Sequence, residues 1–187
     1  MITRPLEKEE YKKIMELLES GFTYTEEGKQ KTFRPNVQIA LALTLQANLG
    51  LRIGDVLALK VSNFKGNKLE IREDKTDKLQ YREVNPTIVN IIKDYAIDNK
   101  LSKNDNIFSI KVRAIQKQLK IICNHLELDN ISTHSFRKMY ATLQYELNNN
   151  NIELIKELLN HSSIATTQRY IRVSQQAINK ASSSFII

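Results

Sequence analysis

Apolar residues recur at intervals of three and four positions along most of the chain, a spacing that is typical of amphipathic helices. The first such stretch is predicted to begin near Thr3 and Pro5, which suit a helix start, and to end at Gly21. The second runs from about Pro35 to Gly50, where glycine can take the left-handed cap conformation, and is apolar on nearly every face. We therefore expect this second helix at the centre of the core.

Alternation of polar and apolar residues, which is typical of a half-buried strand, is clear only within residues 68–84. The stretches 68–72 and 79–84 predict one antiparallel hairpin with its turn at 73–78. Residues 22–34 are polar and irregular, so we expect a loop there.

Further helices are predicted at 53–59, 86–99, 111–128, 134–148, 151–160 and 174–182. Together with the one hairpin they define an α+β domain that is mostly helical. The chain of 187 residues contains no repeat, no low-complexity tract and no internal linker, and it is long enough to enclose its own core. We therefore predict a single domain over residues 1–187.

Composition narrows the class of protein. No apolar run approaches the length of a membrane span, and the charged N-terminus, MITRPLEKEE, lacks the apolar region of a secretory signal. The single cysteine, Cys123, excludes an intrachain disulfide, and its apolar neighbours predict a buried side chain. These features predict a cytoplasmic protein. The formal net charge of +7 favours polyanionic partners such as nucleic acid.

Candidate chemistry is concentrated in two stretches, THSFRKMY and LLNHSSIATTQRYIR. The first places His134 and Arg137 three residues apart, so both side chains lie on one face of a helix. The second contains His161 and Tyr170, and an earlier stretch, LGLRIGDVLALK, contributes Arg52. Arginine binds two phosphate oxygens with its planar fork, histidine transfers protons near neutral pH, and tyrosine supplies an oxygen nucleophile. Such a set suits a phosphodiester.

In this order the residues resemble the signature of the tyrosine recombinases, the phage-integrase family of DNA strand-transfer enzymes. The family pattern is an arginine in a G-L-R-x-x-E/D-L-x-x-L context, a lysine in a β-hairpin, H-x-x-R, a later histidine or tryptophan, and the tyrosine. Asp55 stands where the family more often has glutamate, and Val56 where it has leucine. The resemblance covers nearly the whole chain and implies the family's helical catalytic domain. The matching residues are Gly50, Leu51, Arg52, Lys75, His134, Arg137, His161 and Tyr170.

The resemblance implies roles for the arginines and the tyrosine. Arg52 and Arg137 neutralise charge on the non-bridging oxygens of a pentacoordinate phosphorus, and Asp55 orients Arg52 or braces the helix. Tyr170 attacks phosphorus and gives a 3′-phosphotyrosyl enzyme and a free 5′-hydroxyl, so no metal, ATP or other cofactor is expected. His134 accepts the proton of the nucleophile or donates a hydrogen bond to the phosphate.

The remaining assignments also follow from the resemblance. His161 is expected to donate to a non-bridging oxygen. Lys75 is implied as the general acid for the departing 5′-hydroxyl, with Lys78 in the same predicted turn as its competitor. Candidates for contacts with the DNA backbone are Lys78, Ser135, Lys138 and Arg169.

Each assignment has an alternative from ordinary protein structure. Arg52 would then form only a salt bridge with Asp55, and the turn lysine would be solvated. The two histidines would lie at helix ends and take no part in a reaction. For Tyr170 the alternative is half-buried packing, which is the role that we expect for Tyr140 and Tyr145.

The predicted partner is double-stranded DNA. The resemblance implies a tetramer on recombination sites, and the apolar residues of the tail 173–187 either dock onto a neighbouring protomer or fold back on their own domain. Family members usually carry DNA-binding domains N-terminal to the catalytic domain, and the chain begins where the catalytic domain normally begins. We therefore expect part of a longer integrase rather than a minimal member of the family.

The predicted function is conservative site-specific strand exchange for a phage or mobile element. A type IB topoisomerase shares this plan of active site and would use the same residues to relax supercoils. A helical DNA-binding module without catalysis would have no need of Tyr170. The chain contains no P-loop, no G-x-G-x-x-G and no H-E-x-x-H, so nucleotide-driven and metal-dependent chemistry is disfavoured.

Overall fold

Helices predominate in the computed structural model, which describes residues 3–72, 79–171 and 182–184 and divides into two units, Met1–Tyr140 and Ala141–Ile187. The predicted fold class, mostly helical with small antiparallel sheets, is confirmed. The helices are α1 (Lys8–Ser20), α2 (Val37–Leu49), α3 (Ile53–Leu57), α4 (Pro86–Asp98), α5 (Val112–His125), α6 (Thr133–Leu147), α7 (Ile152–Leu158) and α8 (Ile164–Gln168). The strands are β1 (Phe22–Glu26), β2 (Lys29–Phe33), β3 (Phe64–Lys65), β4 (Lys68–Arg72) and β5 (Leu79–Glu83).

Helix α2 lies at the centre of the core of the first unit. Nine of its 13 residues are buried, so it lacks the solvent-facing stripe of an amphipathic helix. At its start the Asn36 side chain accepts a hydrogen bond from the Ile39 amide at 3.1 Å. At its end Gly50 adopts the left-handed conformation with φ 62°. Both the all-round burial and the glycine cap follow the sequence prediction.

Helix α1 begins later than predicted. The stretch from Thr3 to Leu6 is not helical, because its amides donate to a distant segment: Arg4 N–H to the Asn130 carbonyl at 3.0 Å and Leu6 N–H to the Ser135 carbonyl at 3.4 Å. Helix α1 starts only at Lys8, where Glu7 and Glu10 form a capping box. Local helix-start signals at the N-terminus are therefore overridden by long-range backbone bonds.

The loop prediction for residues 22–34 is wrong. Strands β1 and β2 form an antiparallel hairpin in register from Phe22 opposite Phe33 to Glu26 opposite Lys29. The two turn residues, Glu27 and Gly28, have φ of 52° and 73°, which suits a two-residue hairpin turn. The Phe22 and Phe33 rings stack with centroids 4.9 Å apart. Because the rest of the hairpin is mostly exposed, its sequence shows no apolar alternation.

The predicted hairpin at 68–84 is present as β4 and β5, which pair antiparallel from Lys68 opposite Glu83 to Arg72 opposite Leu79. The short strand β3 extends this sheet on the other side of β4. The predicted turn at 73–78 lies outside the described residues. Within the described residues the chain therefore has two small sheets, where one was predicted.

Near the C-terminus, helix α8 (Ile164–Gln168) was not predicted. It starts at Ser163, whose hydroxyl accepts a hydrogen bond from the Thr166 amide at 3.3 Å. Helices α5 and α7 end earlier than predicted, next to Glu127 and Asn160, which adopt left-handed φ of 54° and 53°. Most of the predicted helix at 174–182 lies outside the described residues.

Two predictions from composition can be compared with the structure. Of the helices within residues 3–72, 79–171 and 182–184, none combines the length and the apolar character that crossing a bilayer requires. Cys123 is buried, as predicted, and burial raises the pKa of its thiol to about 11. The thiol is therefore protonated and unreactive at neutral pH.

Substitution of Gly50 by alanine is expected to destabilise the protein strongly. A Cβ at this position would lie 2.3 Å from Cδ1 of Tyr140, a buried side chain, and would also occupy a left-handed backbone. We expect a loss of about 2–5 kcal/mol of unfolding free energy, from about 1–2 for the backbone and about 1–3 for the displaced ring. Urea denaturation measures this loss.

Gly66→Ala is the matched control, because Gly66 has a similar φ of 61° and an added Cβ there meets nothing within 4 Å. It should show only the backbone cost of about 1–2 kcal/mol. Equal losses in the two variants would mean that the contact between Gly50 and Tyr140 contributes nothing.

Candidate active site

The end of α2 positions Arg52. The chain leaves the Gly50 cap, and Arg52 becomes the extended N-cap residue of α3. Its guanidinium Nη1 lies 3.9 Å from Oδ2 of Asp55, one helical turn further on, in an ion pair. Asp55 is buried whereas Arg52 is partly exposed, so the carboxylate holds the guanidinium from the protein side. The predicted neighbour of Arg52 is therefore in place to orient it.

Helix α6 places Arg137 at this same corner of the first unit, where α2 ends and α3 begins. Arg137 is only 1% exposed, and its Nη1 donates to the Gly50 carbonyl at 2.6 Å. From β5, Arg82 donates to the Leu49 carbonyl. Two guanidinium groups thus bind the last carbonyls of α2, where the helix dipole is negative. The arrangement gathers Arg52, Arg82 and Arg137 around one turn of backbone in the first unit.

Gln46 links the elements that meet at the C-terminal end of α2, and its role was not predicted from the sequence. The residue is buried, and in the amide orientation that satisfies both of its ends it donates to the Thr133 carbonyl at 2.9 Å and accepts from the Ile53 amide at 3.1 Å. It therefore joins the first turns of α3 and α6, which carry Arg52 and the H-x-x-R residues. The signal in the sequence was a glutamine inside the mostly apolar stretch LALTLQANLG, which also contains Thr44 and Asn48.

The N-terminus of α6 positions His134. Its amide donates to the Ser132 hydroxyl at 3.2 Å, while the Ser132 amide donates to Oγ of Ser135 at 3.1 Å. The Ser132 hydroxyl thus caps the start of α6. His134 itself is exposed, one helical turn before Arg137.

Two predicted DNA contacts on α6 fit the structure poorly. Ser135 is fully buried and its hydroxyl serves the helix cap, so burial contradicts its predicted contact with the DNA backbone. Lys138 donates from Nζ to the Thr3 carbonyl, and burial lowers the pKa of its ammonium. Lys138 therefore tethers the N-terminal segment.

In the second unit the structure brings His161 and Tyr170 together. Their ring centroids are 4.7 Å apart, and the ring planes meet at 63°. Asn160, in its left-handed conformation, reverses the chain after α7, and the His161 amide donates to the Lys156 carbonyl at 3.0 Å. The His161 side chain is buried, with its Nδ1 3.1 Å from Oγ1 of Thr167. A phenol and an imidazole are therefore neighbours on a capped, hydrogen-bonded turn.

Tyr170 differs from Tyr140, which was its rival. Tyr140 is buried, and burial raises the pKa of its phenol, so it remains a protonated packing group beside Gly50. Tyr170 is half-buried, just beyond the end of α8, and its carbonyl accepts from the Thr142 hydroxyl at 3.5 Å. Arg169 next to it is exposed, as a contact with the DNA backbone would require.

Lys75 and Lys78, the predicted general acid and its competitor, lie outside the described residues, as do 172–181 and 185–187 of the tail. The described residues therefore provide two groups of candidates. The first unit supplies two guanidinium groups, those of Arg52 and Arg137, and an exposed histidine. The second supplies a phenol paired with a histidine. Together these are the groups that transfer of a phosphodiester requires.

Comparison with solved structures identifies the fold. The chain is similar to the XerA recombinase, with a TM-score of 0.73, 20% identity, and coverage of 98% of this chain and 65% of that one. It is also similar to the XerH site-specific recombinase bound to a palindromic difH substrate in a post-cleavage complex, with a TM-score of 0.73, 21% identity, and coverage of 96% and 52%. At these identities the likeness shows a shared fold, that of the recombinase catalytic domain.

The sequence identifies the family. The chain matches the phage integrase family over residues 4–177 and belongs to it. It is 28% identical over 190 residues to a probable integrase/recombinase of Acholeplasma phage L2, an alignment that covers 93% of this chain and 60% of that protein. The chain thus spans less than two thirds of the length of this relative and of the two recombinase structures.

Proposed function

We propose that this chain is the catalytic part of a site-specific DNA recombinase that cuts and rejoins strands through a 3′-phosphotyrosyl intermediate. The observation that carries the proposal is the pairing of the His161 and Tyr170 rings, 4.7 Å apart, in a member of the phage integrase family. Packing alone would be satisfied by any apolar ring at residue 170. A phenol beside an imidazole suits a nucleophile whose proton must be removed.

The proposed first step is attack of Tyr170 Oη on a backbone phosphorus. The new bond joins Oη to phosphorus, and the bond from phosphorus to the 5′-oxygen breaks. The phenolic proton passes to a histidine, either His161 beside the Tyr170 ring or His134, and the departing 5′-oxygen takes a proton from Lys75. The number of phosphodiester bonds is unchanged, so rejoining, in which a 5′-hydroxyl attacks the phosphotyrosine, requires no ATP.

Arg52 and Arg137 take the part that a metal ion has in other phosphoryl transfers. Charge grows on the non-bridging oxygens in the transition state, and two guanidinium groups supply positive charge and several N–H donors. The packing of Arg137 against Gly50 and of Arg52 against Asp55 supports this role, because donors that are already fixed need not reorganise during the reaction. His161 is proposed as a further hydrogen-bond partner of the phosphate.

The proposed substrate is double-stranded DNA, in keeping with the net charge of +7 and with the difH substrate to which the similar XerH recombinase is bound. We further propose that the protein works as a tetramer in the cytoplasm, for a phage or mobile element, and that its tail docks onto a neighbouring protomer. Residues 1–187 would act as one catalytic domain beside additional DNA-binding domains.

Covalent capture from DNA of randomised sequence tests the proposal and selects the target site in the same experiment. The 187-residue chain is incubated with the randomised duplexes in excess EDTA. A nick close to each candidate cleavage position lets the short 5′-hydroxyl fragment diffuse away, so that the intermediate accumulates. We expect SDS-resistant adducts, joined through the 3′ end of the DNA and enriched in one sequence.

Four other outcomes would contradict the proposal. Adducts that need Mg²⁺ would remove the assigned role of the arginines, and adducts joined through a 5′ end would reverse the polarity of attack. Absence of adducts with retained DNA binding would indicate a binding module. Relaxation of supercoiled plasmid that lacks the captured sequence would indicate a topoisomerase instead of a site-specific recombinase.

A further inference from the structure

Thr167 on α8 contacts both members of the histidine–tyrosine pair. Its side chain is 0% exposed although it is polar, with Oγ1 3.1 Å from Nδ1 of His161. Its backbone carbonyl accepts from the Tyr170 amide at 2.9 Å and from the Ile171 amide at 3.2 Å. One buried residue thus holds the ring of the histidine and the backbone of the tyrosine.

The hydrogen bonds open to Thr167 bear on which nitrogen of His161 carries the proton. A threonine hydroxyl has one hydrogen to donate and two lone pairs to accept with. Oγ1 of Thr167 lies 3.4 Å from the Ser163 carbonyl, within reach of the bond back along the helix that threonine commonly donates. If the hydroxyl donates there, Nδ1 of His161 is the donor and Oγ1 the acceptor in their 3.1 Å contact.

We propose that Thr167 is a positioning residue that fixes His161 as the Nδ1–H tautomer and sets the orientation of its ring. In the neutral ring Nε2 is then the acceptor, so it can take a proton from a neighbouring hydroxyl. It can donate to a phosphate oxygen only after the ring has been protonated. In the alternative tautomer Nε2 would always be a donor. Nδ1 would be an acceptor and would compete with the Ser163 carbonyl for the hydroxyl hydrogen of Thr167.

The same contact explains why a β-branched polar residue suits this position. Buried threonine fills the same space as valine would, but valine cannot accept a hydrogen bond from Nδ1–H and would leave that donor unsatisfied in a buried site. Serine keeps the hydroxyl and loses only a methyl group. Thr167→Val and Thr167→Ser therefore separate the hydrogen bond from the packing.

Nitrogen NMR on ¹⁵N-histidine-labelled full chain tests the tautomer directly. The chain has three histidines, and His161→Gln assigns the resonances of His161. We expect neutral His161 to be in the Nδ1–H form in the wild type and in Thr167→Ser, and to populate the Nε2–H form in Thr167→Val. An Nε2–H form in the wild type would overturn the proposal, whatever the folding of the variants. An unchanged tautomer in Thr167→Val would also overturn it.

Single-turnover cleavage of the captured DNA tests the functional consequence, which rests on the proposed recombinase function. Thr167→Val should cleave roughly tenfold to a hundredfold more slowly with DNA affinity unchanged, because a misplaced proton carrier impairs the chemical step. Thr167→Ser should remain within roughly threefold of the wild type. Wild-type rates in Thr167→Val, or equal loss in both variants, would reduce Thr167 to a packing role and overturn the assignment.

The two measurements distinguish failure of this inference from failure of the proposed function. A wild-type chain with the Nδ1–H tautomer that never forms an adduct would refute the recombinase chemistry and uphold the effect of Thr167 on His161. A chain that forms the adduct with His161 as the Nε2–H tautomer would uphold the chemistry and refute the positioning role.

Discussion

Replacing Tyr170 with phenylalanine is expected to abolish the covalent adduct with DNA, by at least about a thousandfold, while DNA binding is retained. Phenylalanine keeps the ring that packs against His161, and the backbone bond from residue 170 to Thr167 does not involve the side chain. Only the nucleophilic oxygen is removed. The adduct is measured by SDS gel electrophoresis of labelled suicide duplexes, and binding by gel shift.

Tyr145→Phe is the matched control for this experiment. Tyr145 is also half-buried in the second unit, and it lies on α6, away from the motif that contains His161 and Tyr170. This variant should form the adduct at the wild-type rate. Adduct formation by Tyr170→Phe, or its loss in Tyr145→Phe, would show that the nucleophile has been assigned to the wrong residue.

Features fixed by neighbouring residues were predictable from the sequence. The left-handed cap at Gly50 and the hairpin formed by β4 and β5 depend on local conformational preference and on alternation, and both are present as predicted. The hairpin of β1 and β2 was missed because most of its residues face solvent, so that burial left no alternating pattern. Its first turn residue is Glu27, an uncommon choice for a positive φ.

Features fixed by distant residues were not predictable in the same way. The backbone near Thr3 is extended because Arg4 bonds to Asn130, a residue far along the chain. The order of the motifs could propose Arg52, Arg137, His161 and Tyr170 as candidates, since chemistry restricts their types. It could not identify the groups that hold them. Gln46 and Thr167 have ordinary side chains, and only the folded contacts reveal what they bind.

Arg137→Lys is expected to slow single-turnover cleavage by about a hundredfold to a thousandfold, the usual cost of removing a donor to a developing oxyanion. Lysine keeps the positive charge but has one ammonium group in place of a planar fork. It can bind the Gly50 carbonyl or a phosphate oxygen, but not both with the geometry of the guanidinium, which donates to Gly50 at 2.6 Å. Stability should fall as well, by about 1–3 kcal/mol, because a buried charged hydrogen bond is weakened.

Arg82→Lys separates these two effects. Arg82 donates to the adjoining Leu49 carbonyl, so its replacement weakens the same end of α2, yet the family pattern gives it no place at the phosphate. We expect a comparable loss of unfolding free energy and a cleavage rate within roughly threefold of the wild type, measured well below the unfolding transition of either variant. If cleavage instead falls in both variants in proportion to stability, Arg137 acts through the fold of this corner and does not bind the phosphate. A selective loss in Arg137→Lys would mean that one guanidinium both caps α2 and binds the reacting group, so that the cost of burying it is offset by the preorganisation it gives the site.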